Sequence, residues 1–398
     1  MLPGFSRIAR ITRRPFPGIS PIAGYPHYFP LSYLGDSFWD NVDVSFAPII
    51  RVTDQYMQEV PFQIVDFDQD AKTGALWFKG PLDENVKSWY IHWDTETAGP
   101  YADIDEFGSR NVWTNFLDVV HANETPVEFV GDVYLNSATG ALGNVLASKT
   151  NVASVLEQRA NYFPDEFAQN EVTFEDLSDN AFDVFNSPRT FVFLLKVVVD
   201  QLTQAVLLSN WTAGSPGFQA FRLSFTYDPV TPNNNFIGFE FGQGGVSYFN
   251  RTNPGELSDL VSDTWYVVTI KYDLGAGGFA VDFDKISRHP IPGEEVGVWP
   301  VDLDTIPTKI GEYGFFHNVG LASVMLYNGA LNKGQRDVFF DNWKDTANFW
   351  RVNLLTGPLE CVNAEISTEV CIATKSGAEV CVQSQIGAEV CLKTKIVS

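Results

Sequence analysis

Cysteine is absent from the first 360 residues of this 398-residue chain. The main body therefore has neither a disulfide framework nor a cysteine-built metal site. Histidine is scarce and scattered: His27, His92, His121, His289 and His317 have no ligand-like partner at i+2 to i+4, which argues against a zinc centre. No run approaches the ~18–20 apolar residues of a membrane span. Phosphate loop, nucleophile elbow and dinucleotide fingerprint are all missing. Positive charge is short as well. The net charge is −23 and the sequence pI about 4.5, which speaks against nucleic acid as a partner of the body. Long helical periodicity is rare. The best stretch runs from Asn144 to Ala160. A shorter amphipathic helix is predicted over 332–350, with Val338, Phe339, Trp343 and Trp350 as anchors.

Aromatic side chains are plentiful, with 32 Phe and 10 Trp, enough to fill a large core without covalent staples. Alternating or aromatic-rich runs recur between Gly, Pro, Asn and Asp, among them Val60–Phe67, Thr190–Asp200, Thr264–Tyr272 and Leu321–Tyr327. Many short strands with turn signals between them predict an all-β chain of sandwiches or barrels.

Charge is unevenly spread. Residues 1–35 hold Arg7, Arg10, Arg13 and Arg14 and no acid, which leaves −27 on the remainder. The same stretch is rich in Pro and Gly, so it reads as an extended basic arm, disordered alone and ordered against a partner. Its four arginines are the candidate anchoring residues.

Cys361, Cys371, Cys381 and Cys391 recur every ten residues at the far end, three of them inside Glu-Val-Cys. An even period keeps every cysteine on one strand face and Val370/Ile372 and Val380/Val382 on the other. Lys375-Ser376-Gly377 and Gln385-Ile386-Gly387 both suit three-residue hairpin loops with a final glycine. Such loops would oppose Cys371 to Cys381 and Cys381 to Cys391 in a small meander; a parallel solenoid is the alternative. The cysteines read first as small apolar filler, with disulfides and metal or redox roles as competitors. A lone meander cannot bury both faces. With Ile386 at a turn centre, the tail is predicted to be an oligomerisation element of a homotrimer.

Residues 37–125 carry Phe38-Trp39, Arg51-Val52-Thr53-Asp54, Val60-Pro61-Phe62, Asp66-Phe67-Asp68 and Thr73-Gly74-Ala75-Leu76-Trp77-Phe78-Lys79. Trp89-Tyr90-Ile91-His92-Trp93, Phe107-Gly108-Ser109-Arg110-Asn111-Val112-Trp113 and Val119-Val120-His121 follow. In order and spacing this resembles DUF2341, a β-sandwich family of unknown function. The family has Tyr-Gly where this chain has His92-Trp93, and a Trp before the last His. It has no established catalytic residues, so none are carried over. Asp263-Thr264-Trp265-Tyr266-Val267-Val268-Thr269-Ile270, Gly278-Phe279-Ala280-Val281-Asp282, Lys309-Ile310-Gly311 and Leu321 to Leu331 resemble strands of a laminin-G or concanavalin A-like jelly roll. The resemblance implies four parts: a basic arm (1–35), a DUF2341-like sandwich (36–127), a jelly roll (128–350) and a cysteine-containing β-repeat (351–398). Such modules are met in bacteriophage structural proteins and bacterial surface proteins.

Chemistry is sparse. Asp282/Asp284 and Asp302/Asp304 put two acids on one strand face, where they could hold calcium or serve acid–base work. Near strand ends, aspartate more often caps backbone. Trp211, Phe218, Tyr248 and Phe249 lie in loop-like settings and are candidates for stacking on sugars. The sequence thus predicts a non-enzymatic phage virion protein of the tail, fibre or head exterior, assembled in the host cytoplasm. It would have no cofactor, contact other virion proteins, and offer its jelly roll to a host-surface glycan. The competing readings are a bacterial adhesin, which would call for a secretion signal or wall anchor that is not seen, and a polysaccharide-cleaving enzyme.

Overall fold

Ile8, Ala9 and Ile11 are buried along the first strand of the chain, and that strand lies inside a sheet. In the computed structural model the described residues of the first 122 supply seven strands. They are β1 (Phe5–Arg13), β2 (Ile22–Pro30), β3 (Arg51–Asp54), β4 (Phe62–Asp68), β5 (Thr73–Leu82), β6 (Lys87–Thr95) and β7 (Phe116–His121). The structure describes residues 2–42, 49–85, 87–95, 98–122, 125–127, 131–140, 142–146, 150–163, 171–174, 188–198, 203–209, 220–231, 235–243, 246–273, 278–291, 308–311, 316–355, 361–373 and 379–391.

The expected arm is not an arm. β1 pairs with β6 on one side and with the strand Trp350–Leu355 on the other, and β3 completes a four-stranded sheet. β2, β5 and β4 form the facing three-stranded sheet. The prolines misled the reading. None falls in β1, and Pro26 and Pro30 sit in β2, which has a ladder partner on one edge only, where proline is tolerated. Between the sheets lies an aromatic core that includes Phe29, Phe38, Trp77, Phe78, Trp89 and Trp350.

The second module is all-β too. An eight-stranded antiparallel sheet has the strand Arg189–Val197 between Val319–Tyr327 and Thr264–Asp273. A ten-stranded sheet, including Thr203–Ser209, Ala220–Tyr227 and Phe236–Gln243, faces it. Phe191, Phe193, Leu195 and Val197 enter the core between these two sheets. Val192 and Leu194 point the other way, into the first module's core. This sheet is therefore covered on both faces, which explains why Arg189–Val197 reads as a continuous apolar run rather than an alternating one.

The module borders differ from the predicted ones. β7, placed by sequence in the first module, pairs with Val319–Tyr327 of the second. The helix Lys333–Trp343 and the strand Trp350–Leu355, placed in or after the jelly roll, close the first module. That helix forms, but it ends at Trp343 rather than reaching 350, and Trp350 opens the strand. Asn332 caps the helix, accepting from the Gln335 amide at 3.0 Å while Gln335 Oε1 accepts from the Asn332 amide at 2.9 Å. Val338, Phe339, Trp343 and Trp350 are all buried, as anchors should be. Asn342 mimics a strand partner for β2: its Nδ2 donates to Tyr28 O at 2.6 Å and its Oδ1 accepts from Tyr28 N at 2.8 Å. The helix predicted from Asn144 to Ala160 does not exist. Leu142–Leu146, Thr150–Ala153 and the start of Arg159–Phe163 are strands, and Ala160 and Leu156 are buried by tertiary packing rather than on a helix face.

The tail is one long hairpin instead of a meander. Cys361–Ala373 pairs antiparallel with Glu379–Cys391. The register sets Cys371 opposite Cys381 as predicted, while the loop expected to centre on Ser376 lies outside the described residues. The second predicted turn fails: strand Glu379–Cys391 runs straight through Gly387, Ile386 faces Ile366, and Cys391 faces Cys361 rather than Cys381. With Ile386 in a strand interior, two β-branched residues meet in register, a pairing a strand favours over a turn.

Candidate groove between the two sandwiches

β4 is interrupted by a bulge between Val65 and Asp68, and Asp66 within it has φ +52°. A bulge re-aims side chains. Here it turns the Asp66 carboxylate to the hairpin Thr150–Phe163 of the second module. Arg159 Nε and Nη2 donate to Asp66 Oδ1 at 2.9 and 2.8 Å, and the Arg159 amide donates to Oδ2 at 2.5 Å. The tip of that hairpin is folded by Ser154, whose Oγ donates to Gln158 O at 2.8 Å and accepts from Leu156 N at 3.1 Å. This inserts Leu156 fully into the first module's core. Glu157, at φ +49°, reaches back across the junction, where it accepts from the amides of Ser32 (3.2 Å) and Gly74 (3.4 Å) and from the Ser32 hydroxyl.

These contacts frame a groove of about 860 Å³. Asp66–Asp68 and Thr73 form one wall, and Val152–Ser154 with Glu157–Arg159 form the other. Phe67 brings an aromatic ring, backed by Trp39 at 5.1 Å and Phe38 at 6.3 Å between centroids. Asp68 is exposed and accepts from Ala71 N at 2.9 Å. Three carboxylates and one guanidinium leave the groove negative. Its polar groups are held by bonds within the chain, so they are oriented before any ligand arrives. A flat ring beside fixed carboxylates and a guanidinium suits a ligand with one apolar face and several hydroxyls.

The predicted site residues lie elsewhere. Tyr248 and Phe249 belong to the edge strand Val246–Arg251 of the ten-stranded sheet, opposite Phe241 and Glu240. Trp211, Phe218, Asp302 and Asp304 lie outside the described residues. Asp282 is structural: it accepts from Arg336 Nε at 2.7 Å and from Ser287 Oγ at 2.6 Å. Asp284 accepts from Val267 N at 2.8 Å and pairs with Lys344. Burial pushes the Asp284 carboxyl above its ordinary range, partly offset by Lys344. Both acids therefore fasten the jelly roll to the helix Lys333–Trp343 and its end. Among the described residues no group of three or more His, Cys, Asp or Glu converges on a metal-sized site.

The candidate anchoring arginines are engaged within the chain. Arg7 bonds Asp94 at 3.0 Å, Ser37 at 3.2 Å and Asn41 at 3.0 Å. Arg10 donates to Ser88 Oγ at 3.0 Å. Arg13 is fully buried, donates to the carbonyls of Asp83 (3.1 Å) and Asn85 (2.8 Å), and is lowered to about 10 by burial. Arg14 meets Asp341 at 2.7 Å. They hold the first sheet and the helix rather than reaching away from the body.

Sequence reasoning missed the groove. Asp66-Phe67-Asp68 was visible as a motif, but Arg159 lay in a segment read as helix. Only long-range pairing brings the two together.

Burial also singles out Asp118 on β7, whose carboxyl is pushed up to about 6 while the Asn136 amide, at 2.7 Å, pulls the other way. No second carboxylate among the described residues is bonded to it.

No family model matches the chain, and no curated protein does. Solved structures give low-identity likenesses. The binding domain of Paraclostridial Mosquitocidal Protein 1 is 12% identical over 68% of this chain and 64% of its own, with a TM-score of 0.41. The binding domain of Botulinum neurotoxin DC, solved in complex with rat synaptotagmin II, is 10% identical over 57% of this chain and 52% of its own, at 0.40. Trypanosoma rangeli sialidase in complex with the inhibitor DANA is 13% identical over 65% of this chain and 41% of its own, at 0.38. The chain thus spans about half to two-thirds of the toxin domains it matches. The likeness is one of β-rich form and extends no further.

Proposed function

We propose that this chain is a non-catalytic recognition protein that takes a neutral or amino-bearing glycan in the groove between its sandwiches. The observation that carries this reading is the commitment of the groove's acids. Asp66 is held by Arg159, Glu157 by Ser32 and Gly74, and Asp68 by Ala71. Carboxylates fixed in this way are good acceptors for hydroxyls. The negative balance favours neutral or cationic sugars over acidic ones. The resemblance to DUF2341 and jelly-roll modules supports placing such a protein on a phage particle, where the two sandwiches would face outward and the tail hairpin would join copies. On that reading it is made in the host cytoplasm and meets other virion proteins.

Titration calorimetry of the full chain against neutral, amino and sialylated oligosaccharides tests the binding. Saturable binding of the first two is expected, with Asp68→Ala weakening it about tenfold at an unchanged melting temperature. Absence of binding, or release of shortened sugars during the titration, would overturn the reading. Peptide mass spectrometry of purified particles tests the location. Recovery from a bacterial surface instead would favour the adhesin.

A further inference from the structure

We infer that the tail hairpin carries two redox-modification sites, which close as intrachain disulfides Cys371–Cys381 and Cys361–Cys391. The register brings all four cysteines of the sequence into two directly opposed pairs. Directly opposed residues of antiparallel strands have α-carbons roughly 4.5–5.5 Å apart. That lies inside the ~4.4–6.8 Å range that a disulfide spans. Opposed pairs alternate in kind along a ladder, and these two have the same parity, so both are of one kind and equally able to close. The strand between them is ten residues long, which at ~3.3 Å per residue sets the pairs about 33 Å apart. One metal ion cannot bridge that gap within a hairpin. The sequence beyond His317 offers no histidine to complete a set at either end. Exchange between pairs is excluded by the same distance, so the connectivity is fixed by the fold.

Closure needs an oxidant, and a small-molecule disulfide such as oxidised glutathione suffices. One cysteine thiolate attacks it, forming a mixed disulfide and releasing one glutathione thiolate. The opposed cysteine, losing its own proton, then attacks the protein sulfur of that mixed disulfide and expels the second. Each bridge thus converts one glutathione disulfide into two thiols and removes two hydrogens from the protein. In a reducing cytosol the pairs stay open; after release to an oxidising medium they close. Closure would fix the hairpin after assembly rather than before it.

The test uses the full chain equilibrated in a glutathione redox buffer, quenched with acid, alkylated and digested without reduction. The expected result is two cross-linked peptides, 371 with 381 and 361 with 391, in a chain four hydrogens lighter. Mobility in a denaturing, non-reducing gel should remain that of one chain. Cys371→Ser should leave Cys381 alkylated and the 361–391 bridge at its original yield. Four alkylated thiols under excess oxidised glutathione, statistical pairing of the cysteines, or bridges between chains would each overturn the inference. Cys361→Ser should leave the inner bridge intact, so misfolding of one variant cannot mask the result.

Discussion

Arg336 Nε donates to Asp282 Oδ2 at 2.7 Å with both side chains almost wholly buried. One residue is in the helix that closes the first sandwich, and the other is on a strand of the second. The same guanidinium donates to Leu331 O at 2.8 Å, and Asp282 also takes the Ser287 hydroxyl. A buried pair is costly to break from one side, because the surviving charge loses its main compensation, and Asp282 would keep only the more distant Lys333 at 3.7 Å. Arg336→Met should therefore destabilise the chain by ~3–5 kcal/mol, measured by denaturant unfolding. Replacing both by apolar residues, Arg336→Met with Asp282→Leu, should recover most of that loss. If the single change costs no more than an exposed pair, under ~1 kcal/mol, the pair does not join the modules.

Acid should open the structure before it melts exposed surface. His27, His92 and His121 are buried and neutral: His92 and His121 are lowered to about 3 by burial, and His27 falls well below its usual range by burial and by the Arg13 charge. A histidine whose folded pKa is depressed binds its proton more readily unfolded. Stability is thus full above ~6.5 and is lost as pH falls from there toward about 3. Asp118, raised to about 6, acts oppositely: its contribution is full below the unfolded carboxylate value and is lost as pH rises through 6. Three histidines outweigh one aspartate. The net effect between pH 7 and 5 is therefore a loss of stability. Thermal melts across that range should show a fall, and His121→Phe should lessen it by removing one of its three sources. A flat profile from pH 7 to 5 would contradict the buried neutral state.

Gly80 on β5 leaves no room for a side chain. A β-carbon there would lie 2.6 Å from Trp89 Cζ2 and 3.1 Å from His27 Cδ2. Both rings are fixed among aromatic neighbours: His27 and Trp89 are 4.8 Å apart, Phe78 and Trp89 5.2 Å. Gly80→Ala should cost about 1–3 kcal/mol by overpacking. The midpoint in urea should shift while the slope stays constant. A neutral outcome would mean that Trp89 can move.

The β class, the closing helix with Val338, Phe339 and Trp343 as anchors, and the opposition of Cys371 to Cys381 were legible because each rests on local pattern. Alternation marks strands, Asn332 and Gln335 mark a helix start, and Ser376-Gly377 marks a turn. What was not legible depended on distant partners. β1 looked like part of an arm because the prolines around it and its arginines were counted, while the partner strands that use Ile8 and Ile11 come from residues 87–95 and 350–355. Asp66 and Arg159 are 93 residues apart in sequence, and their bond defines the groove. The helix expected at Asn144 to Ala160 failed because burial of Leu156 and Ala160 is supplied by the other module. The partners of Asp282 and Asp284, Arg336 on the closing helix and Lys344 at its end, could not be foreseen.

The tail still argues for oligomerisation, on different grounds from the turn at Ile386. Register and parity place Val362 with Val390, Ile366 with Ile386, Val370 with Val382 and Ile372 with Val380, all at positions of one parity, opposite in parity to the cysteines. Among the described residues this hairpin pairs with no other strand. A two-stranded hairpin is at best marginal in water, and one with an apolar face needs a cover. The occupants proposed are two further copies of the same hairpin. Three hairpins around an axis turn each apolar face inward and bring the outer edges of neighbours together, whereas two packed face to face leave four ladder edges open. The full chain should therefore sediment as a trimer. A chain ending at Thr356 should sediment as a monomer with its β circular-dichroism signal intact, because both cores lie upstream of the tail. Ile366→Asp with Ile386→Asp should dissociate the full chain in the same way, since it places charge at the centre of the apolar face. A full-length monomer at roughly micromolar concentration, or a trimer that survives removal of the tail, would move the interface to the sandwiches.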